Sequence, residues 1–83
     1  MKRKNWTKKE LEASVEAYIE MRSKEERNEK FIKKDVYRNL SKRFNRSRGS
    51  FEYRMQNISF IFDEWGESWI KGLKPYSHIG ENI

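Results

Sequence analysis

Cysteine is absent from the 83 residues, so a disulfide scaffold and a thiolate metal site are both excluded. A single histidine, His78, excludes the usual histidine-rich zinc sites. Proline occurs once, as Pro75, and no low-complexity tract, internal repeat or linker divides the chain. No apolar run approaches the roughly 20 residues a membrane-spanning helix needs. The basic opening, MKRK, has no apolar segment behind it and does not read as a signal peptide. Also missing are a glycine-rich phosphate loop, a nucleophile with its base and a metal-ligating cluster. These absences predict one small cytoplasmic domain over 1–83, with 1–5 as a flexible arm. They predict no enzymatic activity, no cofactor, no metal and no small-molecule substrate.

What is present is charge and aromatic surface. Charged residues make up 39% of the chain and hydrophobic ones 35%, a balance near the border of disorder. The aromatic share of 14% argues for a core all the same, because large rings close a compact interior with few residues. The net charge of +6 is unevenly spread. Residues 1–9 are purely basic, and 10–30 are net acidic through Glu10, Glu12, Glu16, Glu20, Glu25, Glu26 and Glu29. Residues 31–56 set Lys33, Lys34, Arg38, Lys42, Arg43, Arg46, Arg48 and Arg54 against only Asp35 and Glu52. Basic blocks on either side of an acidic one describe a polarised surface, which favours nucleic acid or another polyanion over generic solubility.

Periodicity predicts three helices. Thr7 followed by Glu10 forms a capping box, with Trp6 and Leu11 placed as a hydrophobic staple. Leu11, Val15, Tyr18 and Ile19 then make the expected core stripe of a first helix that fades near Met21–Ser23. Glu12, Glu16 and Glu20 form a row on the same helix, mildly self-repelling. SKEERNEK (23–30) reads as a loop, and Phe31 and Ile32 re-enter the core. Val36, Tyr37, Leu40 and Phe44 mark a second helix over 33–44, and NRSRGS is a turn. Ser47 caps a third helix, with Ser50 as a competing cap; Phe51, Met55, Ile58, Phe62 and Trp65 carry it to about Glu64. Gly66 stops it. The segment after it is too apolar for a loose tail: Trp69, Ile70, Leu73, Tyr76 and Ile79 predict a short helical turn and then an extended docked segment. The fold class expected is all-α, a three-helix, helix-turn-helix-like bundle. The spacing of Trp6, Trp65 and Trp69 places them in the core rather than on the surface as stacking platforms.

NWTKKEL and FNRSRGSFEYRMQNI loosely resemble the Myb/SANT tri-helical DNA-binding arrangement, although Trp65 and Trp69 lie beyond that family's span. A resemblance covering nearly the whole chain is to the small N-terminal domain of bacterial HNH-type, modification-dependent restriction endonucleases. It rests on Asn5, Trp6, Thr7, Arg46, Ser47, Gly49, Ser50, Glu52, Arg54, Asn57, Ile58, Ser59, Gly72, Lys74 and Pro75, with Leu73 in place of the usual aromatic. The resemblance implies a DNA-contacting module attached to a nuclease. The histidine-asparagine-histidine centre is missing, so it implies contact without cleavage.

The candidate interface is the turn and first half of the third helix. Helix N-terminal N–H groups attract phosphate, and Ser47 and Ser50 can add donors. Arg46, Arg48 and Arg54 are placed to meet phosphates or base edges, while Tyr53, Gln56 and Asn57 lie near the face turned away from Phe51 and Met55. Arginine reads guanine, and Gln or Asn reads adenine. Lys33, Lys34, Arg38, Lys42 and Arg43 are expected to fix orientation through phosphates. Lys2–Lys4 read either as a minor-groove arm or as a solvated tail. Two functions remain open: a duplex-DNA-binding protein, or a protein-binding inhibitor or adaptor of a nucleic-acid enzyme such as a nuclease. The second, of phage or mobile-element origin, would act through Glu12, Glu16 and Glu20 or through exposed aromatics.

Overall fold

The computed structural model describes residues 5–77. The expectations placed on Lys2–Lys4, His78 and Ile79 lie outside them. The described chain is an all-α bundle of three mutually packed helices: α1 (Lys8–Glu26), α2 (Lys33–Phe44) and α3 (Arg48–Glu64). No strand occurs among the described residues.

Local signals set most helix ends. The capping box forms as its sequence predicts: the Thr7 N–H donates to Glu10 Oε1 at 2.8 Å, and the Glu10 N–H donates to Thr7 Oγ1 at 3.1 Å. α1 runs past its expected end and closes on Asn28, whose φ of 60° lets its N–H reach the Glu25 carbonyl and the Glu29 N–H reach that of Lys24. α2 ends on Asn45, also left-handed at φ 58°. Ser47, not Ser50, caps α3, its Oγ accepting from the Ser50 N–H at 3.1 Å. Gly66 at φ 76° ends α3 with the same paired bonds, from Gly66 to Asp63 and from Glu67 to Phe62.

The core gathers Ala13, Tyr18 and Met21 from α1, Tyr37 and Leu40 from α2, and Phe51, Met55 and Ile58 from α3. Ile70 and Leu73 of the following segment complete it, both almost fully buried. That segment docks as expected, without the expected helical turn. It is pinned by the Ile70 N–H donating to the Tyr18 hydroxyl at 3.2 Å, while that hydroxyl and Ser59 Oγ share a bond of 2.7 Å.

The inward face of α1 corrects the sequence expectation. Leu11, Val15 and Ile19 are 38%, 41% and 51% exposed, while Glu10, Ala13, Ser14, Tyr18 and Met21 are buried. Two rows at helical spacing compete on this helix. The one with small residues wins, because Ala13 and Ser14 let the neighbouring helices approach closely. Trp6 packs edge-on against Phe51 at 5.2 Å between ring centroids, while Leu11, its staple partner by sequence, is largely outside the core. Trp65, expected inside, is 67% exposed and leans edge-on against Phe62.

Candidate nucleic-acid interface

α2 presents its charge as an uninterrupted row. Lys34, Arg38 and Lys42 are four residues apart, so they stack along one face opposite Tyr37, Leu40 and Phe44. All three are exposed. Arg38 meets Asp35 at 3.1 Å, but both side chains are about half exposed, so the pair is weak and yields readily to a phosphate. Arg43 sits to one side of the row, with its guanidinium 4.8 Å from the Phe44 ring centre.

The left-handed turn at Asn45 carries the chain from this row to the start of α3. Ser41 Oγ donates to the Arg46 carbonyl and braces the turn. Arg48 is exposed at the first position of α3. Between α2 and this first turn lies a cavity of about 430 Å³, lined by Lys33, Lys34, Tyr37, Arg48, Gly49 and Glu52. Burial, together with the charge of Glu52, pushes the Tyr37 hydroxyl up to about 12, so it remains protonated at neutral pH.

The other two arginines are placed elsewhere. Arg46 is expected at phosphate; the structure instead turns it inward onto Glu10, with Nε–Oε2 2.9 Å and Nη2–Oε1 3.1 Å. Its Nη2 also donates to the Asn5 carbonyl at 2.7 Å, and the guanidinium lies 4.1 Å from the Trp6 ring centre. The pair is nearly sealed, with Arg46 and Glu10 side chains 11% and 4% exposed. Arg46 is the main cause of a Glu10 carboxyl pulled down to about 2, with the Thr7 N–H adding to it. Arg54 also lies over Trp6, at 4.5 Å, and donates to Asn57 Oδ1 at 3.3 Å. Burial pulls its pKa below the ordinary arginine value.

The expected reading residues face the docked segment. Asn57 Nδ2 donates to the Tyr76 carbonyl at 2.7 Å, the Tyr76 N–H donates to the Gln56 carbonyl at 3.1 Å, and the Tyr53 ring packs edge-on against Tyr76 at 5.3 Å. Base contact by Tyr53 or Asn57 would therefore require Tyr76 to leave. Ser47 and Ser50 hydroxyls bond each other at 2.9 Å beside the cap. The structure thus places Arg48 beside Lys33 and Lys34 at one cavity, and Arg38 and Lys42 along the same face of α2 as Lys34. It separates from them Arg46, Arg54, Tyr53 and Asn57. Tyr37 reads from sequence only as a core residue, and nothing in its spacing distinguishes a hydroxyl left without a partner.

α1 presents the opposite character. Beside the exposed Leu11, Val15 and Ile19 run the exposed Glu12, Glu16 and Glu20, and of the acids only Glu20 has a neighbouring base among the described residues, Lys24 at 3.8 Å. No group of three or more His, Cys, Asp or Glu side chains among the described residues could hold a metal ion. No described helix is long and apolar enough to cross a membrane. In comparisons with protein-family models, curated proteins and solved structures, nothing matches this chain.

Proposed function

We propose that the protein is a non-enzymatic binder of duplex DNA that grips the phosphate backbone with the outward face of α2 and the first turn of α3. The observation that carries this reading is the exposed row Lys34, Arg38 and Lys42, joined at its Lys34 end by Arg48, which lines one cavity with Lys34. A base every turn of a helix follows a line of phosphates, and such contacts fix orientation without reading sequence. With the centre of α3 engaged by Tyr76, the contact is predominantly with the backbone. The resemblance to restriction-endonuclease recognition domains agrees with a DNA-contacting role.

A salt titration of duplex binding tests the reading. Four phosphate contacts predict a slope of log K against log salt of about −3 to −4. Combined Lys34→Ala, Arg38→Ala and Lys42→Ala substitution should flatten it by about 3. Absence of binding at low salt, or binding indifferent to salt, rejects it.

A second reading is favoured by one observation, the exposed Leu11, Val15 and Ile19 flanked by Glu12, Glu16 and Glu20. This face suits a protein surface that is apolar and basic, as on an enzyme that itself handles nucleic acid. Val15→Lys with Glu16→Lys would abolish such binding and leave the salt slope on duplex DNA in place.

A further inference from the structure

We propose that the outward face of α1 is a docking surface for a second copy of this chain, which lays the basic face of its own α2 on it with the two helices running parallel. The proposal rests on the second reading above for α1 as a protein-binding face and names the partner. It does not depend on DNA as a ligand.

The outward half of α1 is divided lengthwise. Leu11, Val15 and Ile19 form an exposed apolar stripe, and Glu12, Glu16 and Glu20 form an exposed acidic stripe beside it. The chain carries the complement of the acidic stripe on α2, in the exposed Lys34, Arg38 and Lys42. Both rows repeat every four residues, so charges recur about every 6 Å along each helix and the rows match over about 12 Å. Within one molecule they do not pair: Glu20 meets Lys24 and Arg38 meets Asp35, each on its own helix. Exposed local pairs of this kind are weak and give way to a better partner at little cost. Among the described residues, Glu12 and Glu16 have no ion pair.

Helix geometry fixes the direction. At about 100° per residue, the acidic stripe lies on one side of the outward face of α1 and the apolar stripe on the other. On α2 the basic row lies to one side of the outward face, and the exposed Ile32 with the half-buried Val36 lies to the other. When the two faces oppose each other with both helices running the same way, the acidic stripe meets the basic row while the apolar stripe meets Ile32 and Val36. Reversing one helix crosses these matches and sets carboxylates over Ile32. It also brings Lys42 and Arg43 against the exposed Lys8 and Lys9 at the start of α1. The parallel register pairs Glu12 with Lys34, Glu16 with Arg38 and Glu20 with Lys42, and it sets Leu11 level with Ile32. The aliphatic stems of the lysines and arginine cover the rest of the apolar stripe. The two faces are different surfaces, so the contact is head-to-tail and each docked copy leaves a face free for the next. Helix faces of this length make a small interface, so the association is weak and salt-sensitive. A row engaged in this way is withheld from duplex DNA.

Sedimentation at low ionic strength and high protein concentration tests the contact. The wild type should form species larger than a monomer, and high salt should dissolve them. Combined Glu12→Gln, Glu16→Gln and Glu20→Gln removes one face, and combined Lys34→Ala, Arg38→Ala and Lys42→Ala removes the other. All of these side chains are exposed, so both variants should melt close to the wild type, and each alone should sediment as a monomer. Mixed in equal amounts they should form a dimer that grows no further, since each supplies the face the other lacks. Glu12→Lys should weaken association of an otherwise wild-type chain about tenfold or more. Adding Lys34→Glu to that chain should restore it, and adding Lys42→Glu should not. A wild type that stays monomeric, a mixture that stays monomeric, or rescue by Lys42→Glu in place of Lys34→Glu overturns the proposal. A dimer that survives in the α2 variant overturns it too, because α1 would then be meeting another surface. If the wild type stays monomeric while an amphipathic Lys/Leu helical peptide shifts the α1 amides in a ¹H–¹⁵N titration, self-docking is overturned and the second reading stands. If the peptide leaves those amides unmoved as well, both are overturned.

Discussion

Glu10 shows how one side chain can decide which way a helix faces. It closes the capping box with Thr7 and, from the same carboxylate, holds Arg46 at 2.9 Å in a nearly sealed pair. A buried charge is tolerated only when paired, so Glu10 and Arg46 fix each other in place. Trp6 lies against the guanidiniums of both Arg46 and Arg54 and covers the pair from outside. Two outcomes follow. Arg46→Ala should cost about 3 kcal/mol of stability, because it strands the carboxylate, and Arg46→Lys should recover only part of that. Urea unfolding measures both. The second concerns acid. The Glu10 carboxyl falls from its ordinary 4.5 to about 2 in the folded state. A folded value below the unfolded one makes the pair's contribution complete above about pH 4.5 and lost as pH drops towards 2. Melting temperature should decline through that window, and Glu10→Gln should show a flatter decline from a lower starting point.

At the scale of the element, α2 and α3 were legible and α1 was only half so. Ser47, Asn45 and Gly66 are local signals, each acting within a few residues, and they delimit α2 and α3 where the spacing predicts. The outward charge of α2 is legible for the same reason, since a row at helical spacing needs no distant partner. α1 offers two rows at helical spacing, and hydrophobicity favours the wrong one. The deciding partners lie far along the chain: Arg46 is 36 residues from Glu10, and Ser59 is 41 from Tyr18. Distance along the chain likewise hid the duties of Arg54, which lies over Trp6, and of Asn57, which bonds Tyr76. Val15→Lys should therefore leave thermal stability within about 0.5 kcal/mol of the wild type, as a surface change does. Tyr18→Phe, a far smaller alteration, should cost about 1 to 2 kcal/mol through Ser59 and Ile70. The left-handed Asn28 predicts a further asymmetry: Asn28→Ala should cost about 1 kcal/mol, and Asn28→Gly should not.

Across the whole molecule, the acidic outward face of α1 and the basic outward face of α2 give the bundle an electrical direction. On the DNA-binding reading proposed above, a field of that kind would turn the protein towards the duplex before contact. The residues behind the family resemblance mostly serve the fold: Trp6, Arg46 and Arg54 form one cluster, Ser59 holds Tyr18, and Asn57 holds Tyr76. If Asn57 acts on Tyr76 and not on bases, Asn57→Ala should accelerate hydrogen exchange at Tyr76 and leave duplex affinity at fixed salt unchanged. Leu73→Ala should cost about 2 to 4 kcal/mol, the loss expected of a filled core site.

The Tyr18 hydroxyl accepts its bond from Ile70, 52 residues further along. During synthesis on the ribosome, α1, α2 and α3 would all emerge before the residues that seal them. Local contacts between α2 and α3 can form early, but the Tyr18 hydroxyl, shared with Ser59 of α3, gains its second bond only when Ile70 arrives. The bundle is thus built to close late, and a nascent chain halted after α3 should remain sensitive to protease that the finished domain resists.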